Sequence, residues 1–122
     1  MYKIVFYKDK NGENEVEQYI KELANKRKNN KECRIKFLKI TSYIDLLSEY
    51  GLKLGEPYVK HLTNNIWELR PLRDRILFAY WDNNKFILLT KFMKKTQKTP
   101  EKEIMRAKRI LEEYNKRREN NE

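Results

Sequence analysis

The sequence predicts an α+β fold, in which a small antiparallel-rich sheet is packed by an N-terminal helical hairpin and a C-terminal helix. Three observations support this class. Alternating or nearly continuous apolar runs indicate strands, apolar residues spaced at i, i+3, i+4 and i+7 indicate helices, and polar turns separate the two. The chain has 122 residues, a length that suits one core, so residues 1–122 are expected to form a single domain.

The first half of the chain predicts a strand followed by two antiparallel helices. Residues 2–8 are rich in β-branched and aromatic side chains, and a turn is expected at Asp9–Gly12. The polar segment 25–31 separates two helical stripes, and Gly51 stands where the second helix has to end. The first stripe contains Val16, Tyr19, Ile20 and Leu23, and the second contains Phe37, Ile40, Ile44, Leu47 and Tyr50.

The second half changes to the periodicity of strands. A loop leads into a short strand near residues 58–62, and NIWELR then alternates between two faces, with Glu68 and Trp67 on opposite sides. RILFAYW and KFILLTKFM are nearly continuous apolar runs. The turn Asp82-Asn83-Asn84 lies between them, so we expect a hairpin of two central strands.

A final helix is expected after the lysine-rich segment. Thr99 is the predicted N-cap, and Pro100 suits the first helical position, where its missing N–H is not needed. The helical stripe contains Ile104, Ala107, Leu111 and Tyr114. The predicted order of elements is therefore β-α-α-β-β-β-α.

The charge balance indicates an anionic partner. The chain carries 28 Lys and Arg against 18 Asp and Glu, a formal net charge of +10. Such an excess favours nucleic acid, an acidic protein or a membrane surface, and the alternative is a charged surface that only maintains solubility. No apolar run approaches the ~20 residues that cross a bilayer, and the N-terminus lacks the shape of a signal peptide. The single cysteine, Cys33, fits a reducing cytoplasm.

Several classes of site are not expected. The sequence has no HExxH motif, no clustered cysteines and no acidic pair at ligand spacing, so no metal site is predicted. It also lacks GxGxxG and Walker motifs and has only three glycines, which argues against a nucleotide cofactor. We therefore expect a function that needs no cofactor.

Two basic segments are expected to converge at one edge of the sheet. RPLRDR, residues 70–75, ends one strand and begins the next, and it contains Arg70, Arg73 and Arg75. KFMKKTQK ends the strand after that and contains Lys91, Lys94, Lys95 and Lys98. Because successive antiparallel strands reverse direction, both segments return to the same edge. Like charges repel there unless an anion binds.

Converging arginines and lysines match the chemistry of a phosphodiester. Arginine offers a planar fork to phosphate, and lysine acts as a point charge. Together they can stabilise the charge that develops during cleavage, and a ribose 2′-hydroxyl would supply the nucleophile without a metal. A lysine among cations has a lowered pKa and is a candidate base. Phosphate binding without cleavage remains the alternative.

Other candidate residues each have a structural alternative. His61 is the single histidine and would be the usual acid or base, although an isolated histidine is more often a packed or surface residue. Glu68 could act as a base, but an ion pair with a neighbouring arginine is favoured. Four aromatic residues could stack on bases, but a role in the core is favoured, and two of them, adjacent in one strand, point to opposite faces. These four are Tyr58, Trp67, Tyr80 and Trp81.

The segment IWELRPLRDRILFAYW, followed by ILLTKFMKKTQKTPEKEIMRAKRI, resembles the HigB-like branch of the RelE/ParE toxin superfamily. In that branch a W-E-L-R strand, an R-I-x-x-x-Y strand and an F-x-K-K-T-x-K-T-P-x-x-E-I run occur in this order. The similar part covers residues 58–111. The resemblance implies a RelE-like fold and a type II toxin, an mRNA endonuclease that acts with the ribosome by metal-independent attack of the 2′-hydroxyl.

The resemblance also implies roles for individual residues. Arg70 matches the L-R arginine, Arg75 opens R-I-x-x-x-Y, and Lys94 is the first lysine of the K-K pair, whereas Arg73 is included because it lies near them. The predicted catalytic set is Arg70, Arg73, Arg75 and Lys94, and the predicted RNA contacts are Lys91, Lys95, Lys98 and His61. Many relatives use a C-terminal Tyr or His as acid or base. Here Tyr114 lies on the helix stripe and no histidine follows Leu62, which leaves that role open.

The partners implied are a cognate helix-turn-helix antitoxin and mRNA on the ribosome, with operator DNA bound only through the antitoxin complex and no membrane. Two alternatives stay open. One is a non-catalytic RNA- or ribosome-binding module, and the other is a gyrase-inhibiting toxin of the ParE type. The L-R and K-K motifs favour RNA cleavage over gyrase inhibition.

Overall fold

The computed structural model describes residues 1–82 and 84–121, and it confirms the α+β class. Three helices and five strands form the described part of the chain. The elements are β1 (Lys3–Phe6), α1 (Glu15–Lys26), α2 (Lys31–Tyr50), a short 3₁₀ helix (Gly51–Leu54), β2 (Val59–Thr63), β3 (Ile66–Leu69), β4 (Asp74–Trp81), β5 (Lys85–Met93) and α3 (Glu101–Asn121).

The sheet has the strand order β1-β5-β4-β3-β2. β1 runs parallel to β5, and every other neighbouring pair is antiparallel. The predicted order β-α-α-β-β-β-α is wrong by one strand, because four strands follow α2 rather than three. The strand missing from that order is β2, which is the short strand predicted near residues 58–62. It pairs with β3 from Val59 opposite Leu69 and forms an edge of the sheet.

Helices cover both faces of the sheet. On one face α1 and α2 bury Val16, Ile40 and Leu47 against the sheet, and we call this the hairpin face. On the other, the α3 face, Ala107 packs against Ile66 and further apolar residues of the sheet. The apolar stripes predicted for the three helices therefore supply the core on both sides, except at Tyr50, which is 50% exposed. Residues 70–75 and 94–100 are left at one end of strands β3, β4 and β5.

Asparagines cap the first two helices. The Asn14 side chain accepts a hydrogen bond from the Glu17 N–H at 2.9 Å, and Asn30 caps α2 in the same way. At the end of α2, Gly51 has φ +62, and a Cβ there would lie 2.5 Å from the Tyr2 ring. The predicted end of the second helix is thus confirmed, since only glycine fits this backbone and this close contact.

The start of α3 differs from the prediction. The helix begins at Glu101, and the Pro100 carbonyl accepts hydrogen bonds from the Glu103 and Ile104 N–H groups at 3.0 and 3.3 Å. The Thr99 hydroxyl instead donates to Glu68 Oε2 at 2.6 Å. The hydroxyl is engaged by a buried carboxylate, a strong charge-assisted acceptor, and the Pro100 carbonyl accepts from the Glu103 and Ile104 N–H groups of the first turn. Thr99 as N-cap was therefore wrong.

Two bulges change which side chains share a face. In β5 the register shifts so that Thr90 pairs with Leu77 and Leu88 with Phe78, which leaves Leu89 as the extra residue. In β2 the register shifts between His61 and Thr63. The β4–β5 hairpin is confirmed by its pairing, although Asn83 of the predicted turn lies outside the described residues.

Candidate functional site

Three chain segments meet at one end of the central strands of the sheet, as the strand directions predict. Arg70 follows the end of β3, Arg75 lies at the start of β4, and Lys94 follows the end of β5. The Lys94 N–H donates to the Arg73 carbonyl at 2.8 Å, and Arg73 Nη2 donates to the Lys94 carbonyl at 3.1 Å. These two hydrogen bonds hold the β3–β4 connection against the segment after β5.

A buried carboxylate lies at the centre of these segments. Glu68 is only 1% exposed, and its Oε1 lies 3.3 Å from Arg70 Nε and 3.9 Å from Arg75 Nε. Its Oε2 accepts the hydrogen bond from Thr99. The favoured interpretation of Glu68 as an ion-pair partner is confirmed. One carboxylate faces two guanidinium groups, so a positive charge remains.

Arg75 is held in place by the backbone around it. Its Nη1 donates to the Leu72 carbonyl at 2.8 Å and to the Asp74 carbonyl at 2.9 Å, and the residue is 6% exposed. Burial, followed by the positive charge of Arg70, lowers the pKa of the Arg75 guanidinium. The site therefore disfavours the charge of Arg75, and a bound anion would favour it.

Arg70 is held less firmly. Its buried Nε lies within ion-pair distance of Glu68 but makes no hydrogen bond to the described residues. Its Nη1 lies 3.7 Å from Glu56, a carboxylate whose side chain is 70% exposed and whose attraction is weakened by solvent. The guanidinium of Arg70 is thus poorly saturated and can turn its N–H groups toward an anion.

The lysines after β5 complete an open groove. Lys94 is half-buried, and Lys95 and Lys98 are exposed. None of the described carboxylates forms an ion pair with these three side chains. The groove has a volume of about 420 Å³. Its lining residues are Leu72, Arg73, Arg75, Lys94, Lys95, Thr96 and Gln97, and we call it the basic groove.

Lys98 and Arg70 adjoin the basic groove from the α3 side. Both line a narrow cleft beside it, together with Glu68, Arg75 and the segment 94–100. Arg70, Arg73, Arg75, Lys94, Lys95 and Lys98 are therefore brought together, as the sequence predicts.

Two predicted RNA contacts lie elsewhere. Lys91 pairs with Ile76 on the hairpin face, and its Nζ lies 4.2 Å from the centre of the Tyr19 ring. His61 Nε2 lies 2.7 Å from the Asn64 carbonyl oxygen, and its ring stacks at 4.5 Å on Trp67. Placing Lys91 and His61 with the other basic residues was wrong. The bulge at Leu89 turns Lys91 to the opposite face, and the pairing of His61 with Trp67 does the same.

The aromatic candidates belong to the core. Tyr58, Trp67 and Tyr80 pack on the hairpin face, and Trp81 packs on the α3 face. Tyr114 stacks edge-on against Tyr7 and Trp81 at 5.2 and 5.5 Å, away from the basic groove. The favoured structural interpretation is confirmed for all five.

Sequence reasoning missed two neighbours of Glu68. The Thr99 hydroxyl bonds to it, and Lys60 is its partner across β2 and β3. Lys60 is exposed and shares the face of Glu68. Aligning the alternation of the short strand with that of WELR would have found Lys60. The bond from Thr99 depends on a contact 31 residues apart, which no local pattern contains.

The described residues contain neither a cluster of metal ligands nor a helix that could span a membrane. Across residues 1–82 and 84–121, no group of three or more His, Cys, Asp or Glu side chains could hold a metal ion. Within the same residues, no helix is long and apolar enough to cross a membrane.

Comparison with known proteins gives one family. The family described as phage-derived protein Gp49-like (DUF891) matches residues 31–112. The chain belongs to this family. Its members are associated with toxin–antitoxin systems, which implies a toxin-like protein with an antitoxin partner. The matched residues run from α2 into α3 and include the whole basic groove. No curated protein matches the chain.

Proposed function

We propose that this Gp49-like protein is the toxin of a type II toxin–antitoxin system, an endoribonuclease of the HigB-like branch of the RelE/ParE superfamily that cuts mRNA on the ribosome. One observation supports this most strongly. Glu68 is the single acid among the described residues that line the narrow cleft, which also include Arg70, Arg75, Lys94, Lys95 and Lys98. The three lysines form no ion pair with a described carboxylate, and Arg70 has only the exposed Glu56 besides Glu68. This excess of positive charge at a groove fits a phosphodiester and the additional charge of its transition state.

The proposed reaction needs no metal. The ribose 2′-oxygen attacks the adjacent phosphorus, its proton passes to a base, and the bond from phosphorus to the 5′-oxygen breaks. The leaving 5′-oxygen takes up a proton from an acid, so the products are a 2′,3′-cyclic phosphate and a 5′-hydroxyl. Arg70 and Arg75 bind the non-bridging oxygens, and Arg73 adds positive charge at the rim.

Lys94 is the proposed base. It is half-buried at the floor of the basic groove, where its backbone is fixed by the two hydrogen bonds to Arg73. The exposed ammonium groups of Lys95 and Lys98 bind the RNA backbone and supply the proton for the leaving oxygen.

The biological setting follows from the same proposal. Residues 1–122 form a single toxin domain that acts in the cytoplasm without a cofactor. A cognate helix-turn-helix antitoxin neutralises it, and operator DNA is bound only through the antitoxin complex. Family membership supports the antitoxin partner, and the basic groove supports RNA as the substrate.

Induced expression in a bacterial host tests this proposal. The wild type is compared with Arg70→Ala, Lys94→Ala and the control Lys39→Ala, which changes an exposed lysine of α2. We expect growth arrest with discrete new 5′ ends on a reporter mRNA, mapped by primer extension, for the wild type and the control. Loss of one groove residue should lower cleavage by about 100-fold or more. Arrest without cleavage would indicate gyrase-type or binding inhibition, and absence of arrest would exclude a toxin.

A non-catalytic RNA- or ribosome-binding module is the second candidate. The observation in its favour is that neither His61 nor Tyr114 reaches the basic groove, so the usual acid and base types are missing there. Purified protein, assayed with ribosomes that carry a reporter mRNA, separates the two candidates. A binding module would shift RNA in a salt-dependent manner and leave it uncut, whereas the proposed enzyme would produce cyclic phosphate ends.

A further inference from the structure

An apolar pocket lies directly beside the basic groove. Ile35 of α2, Leu72 of the β3–β4 connection and Met93 of β5 contribute its apolar surface, and they are 46%, 47% and 44% exposed. Its volume is about 660 Å³. The remaining lining residues are Lys31, Glu32, Lys36 and Arg73, and we call this the apolar pocket. Large aliphatic side chains that remain this exposed around one concavity indicate an interaction site.

The apolar pocket and the basic groove are continuous. Leu72 and Arg73 line both of them. Leu72 also has φ +57, a left-handed conformation that is unfavourable for a residue with a Cβ. The strained backbone holds an aliphatic side chain in solvent between the two concavities, where it contributes little to the core. Strain that persists at such a position is typical of functional surfaces.

We propose that the apolar pocket is the docking surface for the antitoxin, and that its occupant is a helical segment with an apolar face and acidic flanks. This inference rests on the proposed toxin function and names the surface by which it is neutralised. Charge complementarity supports the acidic flanks. Lys31, Lys36 and Arg73 surround the apolar surface, and the single acid, Glu32, pairs with Lys36 at 3.4 Å.

The dimensions suit an amphipathic helix. Leu38, which is 58% exposed, lies three residues after Ile35 on the outer surface of α2 and extends the apolar surface along that helix. A helix is about 10–12 Å wide with its side chains and can insert apolar residues at i, i+3 or i+4, and i+7 into such a surface. Ile35, Leu72 and Met93 would receive these residues.

Other occupants fit the surface less well. A second copy of this chain would place the same cations, Lys31, Lys36 and Arg73, against one another in a symmetric contact. A nucleic-acid base would need an aromatic surface for stacking, and none of the described lining residues of the apolar pocket is aromatic. The aliphatic floor with a basic rim therefore favours an acidic amphipathic protein segment.

Occupation of the apolar pocket would also close the basic groove. A helix seated on Leu72 and Met93 places its acidic flank over Arg73 and Lys94, because Arg73 lines both concavities and bonds to Lys94. The antitoxin would then block the site directly rather than from a distance. Its carboxylates would take the place of the RNA phosphates.

The test measures binding of one defined probe, the purified antitoxin partner that family membership implies. Isothermal titration compares the wild-type chain with Ile35→Glu and Met93→Gln, and with Met105→Gln as the control. Met105 is a methionine of α3 that is 47% exposed, close to the exposure of Met93. We expect the two pocket variants to bind about tenfold or more weakly and the control to bind like the wild type.

Several other outcomes of these measurements would overturn the proposal. Equal binding by wild type and pocket variants, or no binding by the wild type, overturns the proposal. A loss of RNA affinity in Ile35→Glu would identify RNA as the occupant, and a wild-type dimer that becomes a monomer in Ile35→Glu would identify a second copy. Either result overturns it as well. Ile35→Gln replaces Ile35→Glu if the charged variant fails to show a native thermal transition.

Cleavage assays keep this proposal separate from the proposed function. The free pocket variants should cut a reporter mRNA on ribosomes at the wild-type rate and should resist inhibition by the probe. If the probe requires the apolar pocket but the free wild type cuts no RNA, the docking surface stands and the nuclease function fails. If the wild type cuts RNA and the probe binds all variants equally, the nuclease stands and the docking surface fails.

Discussion

Two clusters of arginine and carboxylate, one in the groove and one beneath α3, differ in their charge balance. Arg106 donates to Glu15 through Nη1, and its Nη2 donates to Glu103 at 3.1 Å and to the Lys91 carbonyl at 3.2 Å. Two carboxylates surround this one arginine. At the basic groove one buried carboxylate, that of Glu68, faces two arginines, and the exposed Glu56 reaches only Arg70.

The pKa values of the two clusters shift in opposite directions. Hydrogen bonding to Glu15 raises the pKa of the Arg106 guanidinium, whereas burial and the neighbouring Arg70 lower that of Arg75. Arg106 joins α1, β5 and α3, so its saturated charges stabilise the fold. The positive charge of the basic groove is not compensated by carboxylates, so it does not stabilise the fold until an anion binds. The difference distinguishes a structural cluster from the basic groove, where we propose that RNA binds.

The largest expected effect is loss of the shared carboxylate. Glu68→Ala leaves Arg70 and Arg75 without their buried counter-ion, and we expect the free energy of unfolding to fall by about 3 kcal/mol or more. Urea denaturation measures it. Glu56→Ala, which removes an exposed partner of Arg70, should cost less than about 1 kcal/mol. Equal losses in the two variants would show that Glu68 does not compensate the groove.

The second largest effect on the free energy of unfolding is expected for the cluster around Arg106, whose charges are paired. Arg106→Met leaves Glu15 and Glu103 without their partner, and we expect a loss of about 2 kcal/mol in unfolding free energy. RNA cleavage below the melting temperature should stay at the wild-type rate, in contrast to Arg70→Ala. Arg109→Met, at an exposed position of α3, is the control and should cost about 0.5 kcal/mol or less. A stable Arg106→Met variant would remove the structural role.

A third pairing, in which a neutral hydroxyl meets a carboxylate, predicts alkaline sensitivity. Tyr19 donates to the Asp74 carboxylate at 3.0 Å, and burial followed by the Asp74 charge raises the pKa of Tyr19 above its usual value. The contribution of Tyr19 to the free energy of unfolding is fully present below the tyrosine pKa of the unfolded chain, about 10. As pH rises above that value, the contribution falls by up to about 1.4 kcal/mol per pH unit. Tyr19→Phe should show a shallower decline between pH 10 and 11. Tyr7, whose pKa is also raised, contributes equally to both proteins.

The smallest expected effect has the opposite sign. Removing Lys94 and Lys95 together relieves repulsion in the basic groove, so the double alanine variant should keep its fold and gain a few tenths of a kcal/mol while losing cleavage. Thermal melts at low and high salt measure this, and the gain should shrink with salt. Lys26→Ala, which breaks an ion pair of 3.0 Å with Glu22, should lose a similar amount. An unfolded double variant would contradict the charge argument.

The sequence was sufficient for the parts of the site that depend on strand direction. Arg70, Arg75 and Lys94 meet because consecutive strands reverse, and that follows from the positions of the turns alone. The positions of Lys91 and His61 depend on bulges or pairing that involve a second strand, so no pattern within one strand could indicate them.

The ends of the helices also separate features that local sequence shows from contacts between distant residues. Asn14 precedes Glu17 by three residues, a recognisable N-terminal pattern that the sequence analysis overlooked. The same Asn14 side chain also donates to the carbonyls of Tyr7 and Leu88, and this link to the sheet depends on residues distant in the chain. Thr99 has the local pattern of a cap, and the buried Glu68 overrode it.

The irregular edge strand β2 affects whether copies of the protein can associate by adding strands to the sheet. β2 lies at an open edge of the sheet, where a regular strand would offer its N–H and C=O groups to another chain. The extra residue Leu62 interrupts that row, the hydrogen bond between His61 and Asn64 fixes the bend, and the exposed charge of Lys60 adds repulsion. We expect His61 to limit aggregation through strand addition, a protective role far from any RNA.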